Sequence, residues 1–403
     1  MNTLHTPIRL PEFVDTRLNF FIDSLLDTKD TGRNLVLGLA PQETDINLQS
    51  NDYLNLSYHP DIIDAQIRSL ASKKGTPFMS NVFLQADGLD KQVEQQLARF
   101  VGFDSCIVSA SGWTANVGLL QTICDSSTNV YIDFFAHMSL WEGARIAGAN
   151  IHPFMHNNVR HLKKLISRNG PGIVLIDSVY STLGTIARLE EIIATCNELN
   201  CAIVVDESHS LGTHGPSGAG LLQEHGLTKQ VDFLTASLAK TFAYRAGAIW
   251  CNNRFGDCLP YVAFPSIFSS AVMTHELERI EATLKVIRGS DLARNKLHQN
   301  SKRIRNALRD IGFDIRSETQ IIALETGGNT ETRVVRDYLE SHGVFGSVFC
   351  PPATPNNKNV IRLSIDSQLT DGQIDHLINV CSDAYDKYFS HQVSFAAKRK
   401  QAS

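Results

Sequence analysis

Short apolar runs keep returning through the middle of this chain: Ser105 to Val108, Val130 to Ile132, Gly172 to Ile176, Ala202 to Val205 and Val231 to Leu234. Each is too short for a helix and most are rich in β-branched residues. The segments between them repeat at helical spacing, as in Val93, Leu97 and Phe100. Strands that alternate with helices argue for a mainly parallel sheet covered on both faces. Ligands of such sheets sit beyond the carboxyl ends of the strands, so the residues just after each run are the ones to search for chemistry.

The flanks read differently. Phe13 to Leu26 places apolar residues at roughly helical spacing before a Thr31-Gly32 stop, which predicts an amphipathic arm of the kind that packs on a partner subunit. Ile46 to Leu54 reads as a short strand running into a turn that exposes Asn51 and Tyr53. After Val272, Glu276 to Arg288 and a continuation to Leu308 read as long helices. Phe313 to Ile315, Gln320 to Leu324 and Val360 to Ile365 then read as strands, and Val334 to Ser341 and Asp371 to Tyr388 as helices. The expected division is an N-terminal arm over 1–45, a large domain over 46–285, a smaller α+β domain over 286–390 and a disordered tail over 391–403.

A length of 403 residues is too great for one small core. With 43% hydrophobic and 20% charged residues the chain reads as an ordinary soluble protein. A net charge of −5, with no basic stripe interleaved with aromatics, gives no reason to expect nucleic acid as a partner. The first residues lack the pattern of a signal peptide, and no apolar stretch reaches the length of a membrane span, so a cytoplasmic protein is expected. Eight scattered cysteines form no Cys-x-x-Cys pair and read as reduced thiols. His152, His156 and His161 have loose metal-like spacing, but no carboxylate or cysteine completes a set and no metal is expected.

Five stretches carry possible chemistry. Lys240, in Thr235-Ala-Ser-Leu-Ala-Lys-Thr, follows a strand in a small-residue turn, where its amine can form a Schiff base with a carbonyl cofactor such as pyridoxal phosphate (PLP). Ser111-Gly112-Trp113 opens a helix after a strand and offers an anion site. Asp133-Phe-Phe-Ala-His137-Met-Ser139 delivers an imidazole past another strand end. Asp206-Glu-Ser-His209 puts a carboxylate directly after a buried strand, and a carboxylate against a pyridine nitrogen keeps that nitrogen protonated. Arg362, on a strand of the second domain, suits the two-pronged grip of a carboxylate.

The order Ser-Gly-aromatic, Asp-x3-His-x-Ser, Asp-x-x-His, Ser-x-x-Lys and a C-terminal Ile-Arg resembles the α-oxoamine synthases, which are fold-type I PLP enzymes. Longer stretches, Asp133 to Arg145, Asp206 to Gly215 and Thr235 to Arg245, resemble the branch of that family that makes quorum-sensing autoinducers. The resemblance implies an α/β fold-type I transferase whose large domain holds a mainly parallel seven-stranded sheet. It implies that Lys240 carries the cofactor, Asp206 pairs with the pyridinium nitrogen, His209 meets the phenolic oxygen and His137 stacks on the ring. Ser111, Gly112, Trp113 and Ser237 would hold the phosphate, and Ser181 would lie near the ring. Ser269 or Ser270 would reach across from the partner of an obligate homodimer, and Asn51 and Arg362 would contact the substrate. The implied reaction condenses a medium-chain acyl-CoA with a 2-aminobutyrate-like amino acid or S-adenosylmethionine, with loss of coenzyme A and CO2, to give an α-aminoketone. An aminotransferase on the same fold is the alternative.

Two departures from the family stand out. Thr76-Pro-Phe-Met-Ser-Asn-Val-Phe-Leu84 is bulkier and more apolar than the glycine-rich segment of relatives, and is expected to line an acyl pocket. Ser181-Thr-Leu-Gly184 lacks the acid that relatives carry after the corresponding serine.

Overall fold

In the computed structural model, which describes residues 9–26, 28–72, 75, 78–84 and 88–390, the apolar runs become strands of one large sheet. In chain order the strands are β1 (Ile46–Asn47), β2 (Ser105–Ser109), β3 (Asn129–Asp133), β4 (Asn150–Phe154), β5 (Ile173–Asp177), β6 (Ala202–Asp206), β7 (Phe233–Ser237), β8 (Gly247–Cys251), β9 (Ile321–Gly327), β10 (Val344–Phe345), β11 (Ser347–Phe349) and β12 (Asn359–Ser364). The seven-stranded sheet runs β2-β8-β7-β6-β5-β3-β4, and only β8 is antiparallel to its neighbours. β5 is buried at every position and lies in the middle of the parallel run, which is why it reads as a continuous Ile-Val-Leu-Ile run rather than an alternating one.

Two apolar layers cover the sheet. One is built on Ile107, Leu119, Leu120, Val130, Ile132, Leu175 and Ile249. The other continues from Tyr131, Val174, Ile176 and Val205 into Leu297, Ile304, Ile361 and Leu377 of the C-terminal part. There β11, β12 and β9 form an antiparallel sheet, backed by helices Asn329–Ser341 and Asp371–Tyr388. Phe313 to Ile315, expected as a strand, has no strand pairing; it leaves the helix Asp291–Ile311 and fixes itself by packing Phe313 on Tyr385 and Phe389.

Residues 46–54 tie the two sheets together. β1 pairs in parallel with β10, and the backbones of Leu48 and Tyr53 accept bonds from Ser364 and Ser367. This packing corrects the expectation for Tyr53: its ring is fully buried, because the turn faces the protein rather than solvent. The arm behaves differently. Leu35 is buried and Arg336 donates to the carbonyls of Asn34 and Leu35, but the helix Glu12–Phe21 buries none of its residues. Phe13 and Phe20 stand in solvent, as do Phe264 and Phe268.

The glycine-rich loop 212–220 is braced from below by Glu207. Gly220 has φ +95°, and a Cβ there would lie 1.9 Å from Glu207 Oε2. Glu207 Oε1 accepts the Leu222 N–H, while Oε2 has no partner. Burial pushes this carboxyl up from 4.5 to about 8. The folded chain therefore keeps a proton that the unfolded chain releases near 4.5, so stability should fall with rising pH across that window. The slope is at most about 1.4 kcal/mol per pH unit. Glu207→Gln has nothing to titrate, so its melting temperature should fall less than the parent's between about pH 5 and about pH 8.

Candidate active site

A cleft of about 290 Å³ opens beyond the carboxyl ends of the parallel strands, between the large sheet and the β11-β12 edge. It is lined by Asn51, His137, Ser181, His209, Lys240 and Arg362, with an apolar wall of Phe134, Phe135, Met138, Phe349, Pro352 and Ala353. Parallel register explains the convergence: Asp177 lies opposite Asp206 and Asp206 opposite Thr235, so β5 and β6 end level, β7 runs two residues further, and all three release their next residues at the same edge of the sheet.

Lys240 sits three residues past β7, half-buried, and its amine makes no hydrogen bond or ion pair among the described residues. Burial lowers its pKa, the Arg362 charge lowers it further, and Asp206 opposes both. The amine is thus closer to its neutral, nucleophilic form than a surface lysine. Asp206 is buried, and its Oδ1 accepts the Ser208 N–H at 2.8 Å while its Oδ2 accepts Asn116 Nδ2 at 2.9 Å. His209 is buried, and burial, Lys240, Arg362 and His137 all drive its pKa well down, so it is neutral. Its Nδ1 lies 2.7 Å from the Tyr53 hydroxyl. The His137 ring opens into the cleft and meets Trp113 edge-on at 6.4 Å.

The anion cradle lies at the helix Gly112–Ile123. Ser111 and Thr114 cap each other reciprocally, which commits the Ser111 hydroxyl to the helix and leaves the first-turn amides of Gly112 and Trp113 pointing outward. A Cβ on Gly112 would come within 2.6 Å of Ser237 Cβ, so only glycine lets this helix end approach the end of β7. Ser237 stands on the far side of that contact. On the opposite side of the cleft Arg362, almost fully buried, donates to the Ser181 carbonyl at 3.0 Å and to Asn51 Oδ1 at 3.1 Å, and lies 4.5 Å from the Phe349 ring centre. Its Nε is buried without a partner among the described residues, and the two terminal nitrogens each keep one N–H beyond the bonds to Ser181 and Asn51.

These features fit PLP: a free amine of lowered basicity for its aldehyde, a buried carboxylate for its ring nitrogen, and a glycine-opened helix end for its phosphate. The chain brings together Asn51, His137, Ser181, His209, Lys240 and Arg362 around one opening, with Ser111, Gly112, Trp113, Asp206 and Ser237 at its base. It does not bring Ser269 and Ser270 there; both are exposed, and Ser270 pairs with Ser80. Phe78 and Phe83 of the apolar segment are likewise exposed, while Thr76 and Pro77 lie outside the described residues. Tyr53, Asn116, Ser139, Asp177 and Phe349 also shape the site, though the sequence did not assign them to it. Removing one hydroxyl tests the first of these. Tyr53→Phe strands His209 Nδ1 and leaves Asn51 Oδ1 with only its Arg362 bond, and should destabilise the protein by about 1 to 3 kcal/mol, read as a lower urea midpoint with an unchanged far-ultraviolet spectrum.

Known proteins share this arrangement. The aminotransferase class I and II family model matches residues 43–380. The CAI-1 autoinducer synthase of Vibrio campbellii is 54% identical over 376 residues, 93% of this chain and 96% of that protein. The serine palmitoyltransferase of Bacteriovorax stolpii is 30% identical over 325 residues, 79% of this chain and 77% of that one. A serine palmitoyltransferase solved with PLP superposes with a TM-score of 0.82 at 24% identity, covering 94% of this chain and 98% of its own. The chain belongs to the class I and II aminotransferase family and, within it, to the α-oxoamine synthases: it is a fold-type I PLP-dependent acyltransferase.

Proposed function

We propose that this enzyme condenses a medium-chain acyl-CoA with a small L-2-amino acid, or with S-adenosylmethionine, to give the α-aminoketone precursor of a quorum-sensing autoinducer. The convergence of Lys240, His209, His137 and Arg362 on one cleft above Asp206 carries this reading, and the likeness to a CAI-1 autoinducer synthase supports its product class.

PLP, when bound, supplies an electron sink for the bonds broken at the substrate's Cα. Lys240 Nζ would hold the cofactor and, when released from it, could take the substrate's Cα proton; its lowered pKa suits a base working near neutrality. Asp206 would keep the pyridine nitrogen protonated, and His209 would serve the phenolic oxygen. The Gly112 and Trp113 amides with Ser237 would bind the phosphate, and Ser181 would lie near the ring. Arg362, stacked against Phe349 and anchored by Asn51, would grip the α-carboxylate with the terminal N–H groups it has left. Cα then bonds to the thioester carbonyl carbon, the C–S bond breaks and coenzyme A leaves as its thiol. The carboxylate departs as CO2, and a proton returns to Cα.

Homodimerisation completes the proposal. Ser269 and Ser270, and the Phe78 to Leu84 segment beside them, lie away from their own chain's cleft and reach a Lys240 site only across an interface. The exposed phenylalanines of the arm and of 264–268 supply apolar surface for that contact. The proposed location is the cytoplasm; no described helix is long and apolar enough to cross a membrane.

The test is a visible spectrum of the purified protein with a small amino acid, followed by a chain-length series of acyl-CoAs with coenzyme A release measured. Coenzyme A release that peaks at medium chains supports the reading, whereas preference for acetyl or succinyl chains overturns the acyl assignment. Transfer of the amino group to the cofactor without any acyl-CoA marks an aminotransferase. A second arm uses Arg362→Lys, which keeps the charge but loses the planar fork: KM for the amino acid should rise at least about tenfold, as expected for losing a charge-assisted bond of about 1.5 kcal/mol or more.

A further inference from the structure

We propose that Asn116 and Ser139 are positioning residues that tie the Asp206 carboxylate to the His137 imidazole and fix His137 as the neutral tautomer protonated on Nε2. The relay is built from three contacts, two of them buried and the third, at His137, partly open to the cleft. Asn116 Nδ2 donates to Asp206 Oδ2 at 2.9 Å and to Ser139 Oγ at 2.8 Å, and Ser139 Oγ lies 2.8 Å from His137 Nδ1. Asn116 and Ser139 are each at most 1% exposed.

The direction of every bond follows from the end that cannot vary. An ionised carboxylate only accepts, so the amide must turn its NH2 towards Asp206; the flipped amide would set oxygen against oxygen. The second amide hydrogen then occupies a Ser139 lone pair, and the single Ser139 proton is free for His137 Nδ1. The Ser139 backbone N–H also points at Nδ1, at 3.3 Å. Two donors aimed at one ring nitrogen make it an acceptor, so the proton of the neutral ring resides on Nε2. Burial and the Lys240 charge, opposed by Asp206, lower the His137 pKa and agree with a neutral ring.

Asn116 does not hold this place for its own hydrogen bonding. Its Oδ1 is buried without a partner, a cost of about 1 to 3 kcal/mol that an apolar side chain would avoid. What the amide alone provides is a pair of donors at the spacing that serves Asp206 and Ser139 together. The consequence for the cleft is a fixed N–H on the face of His137 opposite the relay. His137 is therefore a hydrogen-bond donor to an oxygen of the substrate, and not a base.

The part of this inference that concerns Asp206 rests on the reading that its carboxylate meets the cofactor's ring nitrogen; the tautomer does not. The test separates them. In the PLP-loaded protein labelled with ¹⁵N-histidine, with the His137 signal assigned by its loss in His137→Gln, Nδ1 should read as an unprotonated acceptor and Nε2 as protonated through the ordinary histidine midpoint of about 6.5. Ser139→Ala should give a mixture of both tautomers. Asn116→Ala should do the same, and should also shift the pH midpoint of the cofactor's visible band by about half a unit or more, a threefold change in proton affinity. An unchanged single tautomer in folded Ser139→Ala overturns the relay, as does an Nδ1-protonated ring in the parent. If Asn116→Ala fails to fold, Ser139→Ala, which loses one hydroxyl, decides by tautomer alone. A band midpoint that stays put while the tautomer mixes refutes the Asp206 reading and leaves the relay standing.

Discussion

The site depends on one buried anion. Taking a carboxylate out of water costs several kcal/mol unless donors or a counter-charge replace its hydration. Asp206 has two donors, the Ser208 amide and Asn116, and no cation hydrogen-bonded to it. Asp177, level with it on β5, is pushed well up by burial and by the Asp206 charge. Lys240 and His209 lose basicity chiefly through burial. The cleft thus presents an anion at its base, a buried guanidinium at its rim and a pair of free amides to one side. A ligand with a cationic ring nitrogen, a phosphate and, once substrate joins it, a carboxylate answers each of these charges in place.

The fold contributes by keeping three functional residues close to strand ends. Lys240, Asp206 and His137 all lie within four residues of the end of a parallel strand, so little backbone freedom separates the rigid sheet from each functional atom. Gly112 matters for a different reason: its missing Cβ sets how near the helix dipole comes to β7. The small sheet does the complementary task, since Arg362 on β12 pairs in register with Ser347 and Ala323 and cannot drift from the Ser181 carbonyl.

How much of this was legible in the sequence follows from where the signals are local. Lys240, Asp206 and His137 could be picked out because each directly follows a strand-like run, and β5 and β6 because their runs are unbroken. β4 was hidden by its own composition: Asn150-Ile-His-Pro-Phe is an edge strand, where a proline is tolerated and only half the residues are inward. β8 was masked by its closeness to the lysine turn. Tyr53 was misjudged because its burial comes from Ser367 and His209, which lie far away along the chain. Asn116 could not have been found by spacing, since its bond to Asp206 spans 90 residues, whereas Ser139 closes the Asp-x3-His-x-Ser pattern without showing that Asn116 joins it to Asp206. Ser269 and Ser270 are exposed and lie away from their own chain's cleft.

The apolar wall opposite His137 bears on selectivity. Phe349 covers one face of Arg362, so the guanidinium keeps its plane and its in-plane donors while solvent is kept from that face. Phe349, Pro352 and Ala353 then continue outward as a surface with no charge, and Leu183 stands in the turn where relatives carry an acid. A substrate side chain lying there finds nothing to hydrogen-bond, so a polar one would lose its hydration without replacement, while a short alkyl group would gain about 0.8 kcal/mol per buried methylene. On the proposed function, the carboxylate grip would be general for amino acids, and discrimination among them would fall to this wall.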